Sequence, residues 1–361
     1  MRGTFGKRFF LLMLLAAPAG CGRMNAWFLP PSSQTEQHFS RAKTLMDAGE
    51  MQAALDELNR ALESDPNHVP TITAVGDIHR KNGDYTQAVE NYKRACHVDP
   101  YAFRPHYNLG VTYQAMASVA QGAEAMRQYL RDAVMTYIRA LAIDPESFHA
   151  KLNLGACYYQ MGQYDLAEQS TREALALRPT SSRANNNLGI ILEAVNRPDE
   201  AIAAYKRSIE ADSKQPDILL NLGAVYMQQN NLHSALATFQ QARRLAPKNS
   251  EACLQLGVCY FRMKNLDPAI RAFQDAIRLD PYNAGAYRGF GVICMYQYVV
   301  DNSRADLRDK ALRAWRYSLK LEPTQTDLQD LLRRYEQSAP ASGTAGPSGK
   351  DTSDNAYSRM S

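Results

Sequence analysis

Small and bulky apolar residues alternate with polar residues along this chain in a pattern that repeats every 34 residues. The triplet Asn-Leu-Gly begins at Asn153, Asn187 and Asn221, and a related triplet begins 34 residues later at Gln255. Later in each period, a small, a bulky and a small residue stand at positions i, i+4 and i+7, which share one face of an α-helix. The pattern predicts two helices per period, and the periods must stack because one helix pair cannot bury its apolar face alone.

Aligned on this interval, the sequence divides into eight units: 35–68, 69–102, 103–147, 148–181, 182–215, 216–249, 250–283 and 284–325. The eighth position of each unit is small, namely Ala42, Gly76, Gly110, Gly155, Gly189, Gly223, Gly257 and Gly291. The bulky position of the second helix holds Leu58, Tyr92, Tyr137, Thr171, Tyr205, Phe239, Phe273 and Trp315, of which only Thr171 is not bulky. Small residues let two helices approach closely, and we expect the bulky side chain to fill the gap to the next unit.

Two further positions mark the ends of the predicted helices. A proline stands near the end of every unit except the fifth, where Ser213 replaces it, and proline cannot continue a helix. The turn between the two helices of a unit is marked by Gly49, Gly83, Gly162, Asn196 and Asn230.

This set of positions resembles the tetratricopeptide-repeat (TPR) family over residues 35–325. The resemblance implies an all-α fold, a right-handed superhelical solenoid of about eight helix-turn-helix units with a concave groove lined by the first helices. Residues 326–338 carry one apolar stripe and predict a C-terminal capping helix. Residues 339–361 are rich in Ser, Gly, Ala and Pro without apolar periodicity, so we expect a disordered tail.

Two units are longer than the others, with 45 residues in the third and 42 in the eighth. The additional residues lie near 117–131 and 298–308, between the first and second helices, and their composition predicts lengthened helices that project from one edge. Extra contact surface and neutral length variation in an exposed turn both explain such insertions.

The first twenty residues are typical of a signal peptide. Arg2, Lys7 and Arg8 precede a short apolar run that is far below the ~20 residues of a transmembrane helix, and small residues stand before Cys21. The arrangement resembles a bacterial lipoprotein signal and predicts an exported protein that is lipidated at Cys21, with outer-membrane placement preferred. Pro18 departs from that signal, and ordinary secretion or an uncleaved anchor are the alternatives. Residues 21–34 are expected to form a tether.

Composition argues against several kinds of chemistry. The formal charge of +4 includes three positive residues of the targeting segment, and the remaining basic residues are scattered among acids, unlike a nucleic-acid-binding surface. The seven histidines are dispersed and no cysteine pair has zinc-ligand spacing, so we expect no metal or cofactor. Motifs of nucleophilic catalysis and dinucleotide binding are missing, which predicts a protein that is not an enzyme.

The candidate partner-binding residues lie on the first helices. Asparagines recur at the sixth position of four consecutive units, on the stripe expected to face the groove, and an amide can pair with a peptide backbone without selecting its sequence. The alternative is that these asparagines bond within the scaffold. Larger side chains would have to supply anchors, and the complete set is Asn108, Asn153, Asn187, Asn221, Tyr107, Tyr159, Met227, Phe261 and Arg262.

Two functions fit this pattern. The first is a protein-interaction scaffold or adaptor of the cell envelope that holds an extended partner segment in its groove. The second is a structural subunit of an envelope assembly that uses its convex face and inserted helices. The sequence does not name the partner or the oligomeric state.

Overall fold

A computed structural model describes residues 31–337, and this part of the chain contains α-helices and turns without a β-strand. The all-α prediction is confirmed. The signal segment 1–20, Cys21 and the tail 339–361 lie outside the described residues. The expected tether ends earlier than predicted, because the first helix already begins at Pro31.

The helices fall into two compact units, one ending at Pro105 and the other beginning at His106. The first unit contains α1 (Pro31–Ala48), α2 (Met51–Ser64), α3 (Val69–Asn82) and α4 (Tyr85–Val98), and α5 (Phe103–Val119) continues into the second unit. The second unit contains α6 (Ala123–Ile143), α7 (Phe148–Gln160), α8 (Tyr164–Leu177), α9 (Ser182–Ala194), α10 (Pro198–Ala211), α11 (Pro216–Gln228), α12 (Leu232–Leu245), α13 (Ser250–Arg262), α14 (Leu266–Leu279), α15 (Ala284–Val300), α16 (Ala305–Leu321) and α17 (Thr326–Gln337).

Within each of the two compact units the helices pack as consecutive pairs. In the first unit α1 packs on α2 and α3 on α4, while α2 also packs on α3. In the second unit the pairs run from α7–α8 to α15–α16, and each second helix contacts the first helix of the next pair. This is the stacking that the 34-residue period predicts, because every pair covers its apolar face with its neighbours.

The turns inside the pairs have the conformation that their residues favour. Gly49, Gly83 and Gly162 have φ angles of 84°, 85° and 75°, and Asn196 and Asn230 both have a φ of 57°. Glycine and asparagine accept this left-handed conformation more readily than other residues, so each ends its helix with little strain. The five turn positions predicted from the sequence are confirmed.

The second helices end shortly before a proline in the sequence. The residue that precedes proline is restricted to extended backbone, and Asp65, Asp99 and Asp144 have φ angles of −141°, −130° and −125° directly after α2, α4 and α6. The fifth unit lacks the proline, yet α10 also ends at Ala211 and is followed by extended Asp212. Proline therefore reinforces a helix end that also forms without it.

The core lies between the first and second helices of each pair. Each bulky residue predicted for the second helix is fully buried. It packs on the small residue of its own repeat, as the contact between Gly189 and Tyr205 shows. A Cβ atom at Gly189 would lie 2.5 Å from Tyr205 Cε1. The bulky residue also reaches the next unit, since a Cβ atom at Gly289 would lie 2.4 Å from Phe273. The bulky residue therefore has two roles: it packs on the small residue of its own repeat, and it fills the gap to the next repeat as expected.

The two insertions form additional helical turns. α5 and α6 span 17 and 21 residues, and α15 and α16 span 17 residues each, against 13 or 14 in the intervening pairs. Leu130 and Leu307 are buried in the added turns. The prediction of lengthened helices in place of loops is confirmed.

The last described helix covers the final pair. Leu328 of α17 is fully buried and joins a cluster with Trp315 and Cys294, against which Leu331 and Tyr335 also pack. Ion pairs from Arg288 to Asp327 and from Arg316 to Glu336 attach its polar side. This helix has the position and the amphipathic character predicted for a cap.

Candidate functional site

A cavity of about 450 Å³ opens on the first-helix face of the second unit. We name it the first-helix cleft. Helices α7, α9 and α11 supply most of its wall, and α10 contributes Tyr205. Its lining residues are Tyr159, Ile190, Glu193, Ala194, Tyr205, Asn221 and Gln228.

Helical spacing brings these side chains together. Ile190, Glu193 and Ala194 are three and four residues apart on α9, so they share one face of that helix. Asn221 and Gln228 are seven residues apart on the neighbouring α11 and form a parallel row. The small side chain of Ala194 leaves room between the two rows, and the result is a concave and largely polar surface.

Glu193 lies at the centre of the polar part of the cleft. The Tyr205 hydroxyl donates to Glu193 Oε2 at 3.1 Å, and Gln228 Nε2 donates to Glu193 Oε1 at 3.2 Å. Within residues 31–337 no lysine, arginine or histidine forms an ion pair with this carboxylate. Both of its hydrogen-bond donors are neutral, so its charge is held in place without being neutralised.

The tyrosines around Glu193 stay protonated at neutral pH. Burial raises the pKa of the Tyr159 hydroxyl, and the nearby Tyr164 hydroxyl and Glu193 carboxylate raise it further. Burial is also the largest cause of the raised pKa of Tyr205, followed by the charge of Glu193 and its hydrogen bond. An anion beside a phenol disfavours the phenolate, which explains the direction of both shifts.

The four predicted asparagines divide into two classes. Asn108 and Asn153 are buried, and Asn153 Nδ2 donates to the hydroxyls of Tyr107 and Tyr137 at 3.3 Å each. Asn187 and Asn221 are half-buried, and neither amide bonds to another side chain or backbone group among the described residues. Asn221 lines the cleft, whereas Asn187 does not. The ladder is therefore not one continuous surface, and Asn153 bonds within the scaffold.

The other candidate residues also occupy different environments. Tyr159 lines the cleft. Met227 and Phe261 are only 8% and 9% exposed and pack in the core, so burial removes them from the groove surface. Arg262 donates to the Met227 carbonyl at 2.8 Å, and this hydrogen bond connects two neighbouring repeats. The half-buried Tyr107 accepts the hydrogen bond of Asn153 and contacts the Tyr137 ring at a centroid distance of 6.0 Å.

Glu193 was missed by sequence reasoning although the repeat contains a signal for it. The twelfth position of the eight repeats carries Met46, Arg80, Gln114, Tyr159, Glu193, Met227, Phe261 and Met295. Glu193 is therefore the only acidic residue at this position among the eight repeats. A carboxylate at a position where most repeats carry a large uncharged residue indicates a change from packing to surface chemistry.

Comparison with protein families identifies the repeat. Models described as TPR repeat and tetratricopeptide repeat match residues 76–116, 146–214, 192–238 and 220–284. The chain is a tetratricopeptide-repeat protein. Comparison with curated protein sequences gives no match to this TPR protein.

Solved structures show the same fold. PilF of Pseudomonas aeruginosa has 21% identity and a TM-score of 0.50 and covers 60% of this chain and 94% of its own. PilW, described as a widely conserved type IV pilus biogenesis factor, has 21% identity and a TM-score of 0.52 with coverages of 60% and 96%. A tetratricopeptide repeat protein of Parabacteroides merdae has 17% identity and a TM-score of 0.52 with coverages of 72% and 99%. At these identities the likeness concerns the fold alone.

The TPR protein carries a second cavity, of about 420 Å³, on its second-helix face. Tyr287 and Phe290 of α15 form its floor, and the Tyr287 and Tyr317 rings lie 4.6 Å apart. Its rim is basic. Arg278 and Lys310 are paired with acidic residues of their own helices, whereas Arg313 has no ion pair among the described residues.

Residues 31–337 contain no group of three or more His, Cys, Asp and Glu that could hold a metal ion. No helix in this range is long and apolar enough to cross a membrane.

Proposed function

We propose that this TPR protein is a scaffold that binds an extended segment of a partner protein on its first-helix face. The first-helix cleft is the observation that carries this proposal. The amides of Asn221 and Gln228 provide donors and acceptors in a row, which suits a peptide backbone. Tyr159 provides a half-buried ring for a side chain of the partner.

One cleft gives only part of the affinity that a stable complex needs. Each hydrogen bond contributes about 0.5–1.5 kcal/mol net, whereas micromolar binding requires about 8 kcal/mol. The partner segment must therefore continue along neighbouring first helices and bury apolar side chains. An extended segment does this naturally, because the repeats present equivalent surfaces at regular intervals.

Site-specific photo-crosslinking in cells tests which face binds. A photoreactive residue at Ala194, which is exposed in the cleft, is expected to capture the partner. The matched control is Ala203, which is exposed on the second helix α10. Equal capture at both positions, or capture at Ala203 alone, would contradict binding on the first-helix face.

We also propose that the protein is exported and anchored through a lipid on Cys21, with the outer membrane as its site. The targeting pattern of residues 1–20 supports this, and the fold shared with PilW, which is described as a pilus biogenesis factor, is compatible with it. Mass spectrometry of the membrane-extracted protein is expected to show a chain that begins at an acylated Cys21. An unmodified Cys21 in that fraction would contradict the anchor.

The second-helix cavity supports a second function, in which this face docks onto an envelope assembly. Its aromatic floor and basic rim suit an acidic partner segment that inserts an apolar side chain. A crosslinker at Gln274, which is exposed and lines the cavity, would capture that partner, and Arg313→Glu in the same protein would abolish the capture. Capture that persists in Arg313→Glu would contradict a charge-selected partner at this face.

A further inference from the structure

Glu193 is a half-buried carboxylate that forms no ion pair among the described residues. Two nearby acids are matched by cations: Glu168 pairs with Arg172 and Arg197, and Arg197 also pairs with Glu200. Glu193, one helix away, receives only a phenol and an amide. A half-buried carboxylate attracts a cation more strongly than a fully exposed one, because water screens its charge less completely.

The surroundings of Glu193 also suit a cation by their shape and chemistry. The half-buried Tyr159 lines the cavity, and aromatic ring faces attract ammonium and guanidinium groups. The free amide of Asn221 adds an acceptor, and Ile190 offers an apolar wall for the methylene chain of a long basic side chain. A volume of about 450 Å³ accommodates such a side chain together with the adjoining backbone.

We propose, building on the proposed function, that Glu193 determines specificity in the first-helix cleft by binding a lysine or arginine side chain of the partner segment. The carboxylate accepts hydrogen bonds from the cation, and the Tyr159 ring covers one of its sides. The amides of Asn221 and Gln228 fix the adjoining backbone. The chemical class of the ligand is thus an extended peptide with one buried basic residue.

The test uses the full-length protein and a library of capped nonapeptides that vary at the central position, with retained peptides identified by mass spectrometry. The wild-type protein is expected to enrich central Lys or Arg over Gln about tenfold, which corresponds to about 1.4 kcal/mol. Glu193→Gln is expected to remove this enrichment and Glu193→Lys to reverse it toward Asp and Glu. The matched control is Glu210→Gln, which removes an exposed, unpaired charge from α10 and leaves the enrichment unchanged.

The outcomes separate this inference from the function on which it rests. Retention of peptides without a basic preference, or an equal loss of preference in Glu210→Gln, would overturn the role of Glu193 and leave cleft binding intact. Retention no greater than that of Ala194→Trp, which fills the cleft, would overturn both. Circular dichroism and thermal melts of each variant verify that the fold is retained.

Discussion

Glycine at the eighth position of the second to eighth repeats is required by contact, not by backbone conformation. A Cβ atom would lie 2.7 Å from Tyr92 at Gly76, 2.4 Å from Phe239 at Gly223 and 2.5 Å from Trp315 at Gly291. Contacts shorter than 3.0 Å force the ring or the helix to move. The same pair of positions therefore sets the distance between the two helices throughout the array.

Gly189→Leu is expected to destabilise the repeat around α9 and α10. The leucine side chain would enter the space of the fully buried Tyr205 ring, and overpacking costs about 1–3 kcal/mol. Urea denaturation measures the loss. Ala203→Leu is the control, because it adds the same side chain at an exposed helical position. Equal midpoints for the two variants would show that the assigned contact is wrong.

The asparagine ladder separates into structural and surface positions at single-residue resolution. Asn153→Ala leaves the buried Tyr137 hydroxyl with one partner fewer and is expected to cost about 1–3 kcal/mol. Asn221→Ala removes an amide that makes no side-chain hydrogen bond and is expected to leave the melting temperature unchanged while weakening partner capture. Thermal melts and crosslinking yields measure the two effects. A lower melting temperature for Asn221→Ala than for Asn153→Ala would contradict this division.

At the scale of helices, local pattern was sufficient to predict the elements. Turn residues such as Gly83 and Asn196, and the i, i+4, i+7 stripe, act within a few residues and specify helix ends and buried faces directly. The insertions followed the same rule, since Leu130 and Leu307 continue the helical period and are buried. The start of α1 at Pro31 was missed because proline tolerates the first turn of a helix as readily as a loop.

The candidate site depended on contacts that periodicity does not specify. Tyr137 bonds to Gln114 in its own unit and to Asn153 in the next, whereas the equivalent Tyr205 bonds to Glu193. Asn221 is equivalent to Asn153 but lacks that tyrosine partner. Asparagines at equivalent positions of the repeat therefore differ in role: one bonds within the scaffold and the other does not. The difference depends on the hydrogen bonds of a neighbouring tyrosine, which the periodicity of the sequence does not specify.

The added turns of the third unit are expected to be an integral part of its packing. Leu130 lies within the inserted region of α6 and is fully buried. Leu130→Ala should cost about 2–5 kcal/mol through the lost burial and the cavity that remains. Leu166→Ala on α8, where the side chain is 44% exposed, is the control with an expected effect within about 0.5 kcal/mol. Similar urea midpoints for both variants would indicate that the insertion is a loosely attached appendage.

Across the whole molecule, stability is expected to depend on neighbouring repeats in sequence order. Each helix pair of the second unit contacts the pairs directly before and after it, so the loss of one element exposes its neighbour first. Buried thiols at different points of the chain make this measurable. Burial raises the pKa of Cys259 and of Cys294 to about 11 each and that of Cys157 to about 12. These thiols hold little thiolate and are shielded in the folded protein.

A chain that ends at Gln325 lacks α17 and is expected to expose the cluster that contains Cys294. Leu328 and Tyr335 no longer cover Trp315, so α15 and α16 open more often and Cys294 reacts with a maleimide faster than in the full chain. Cys259 is the internal control, since its pKa is raised to the same value but it packs with Met227 and Phe239, away from α17. Mass spectrometry of labelled peptides over time gives both rates. Equal acceleration at Cys294, Cys259 and Cys157 would mean that the array opens as one unit, and it would contradict opening by nearest neighbours.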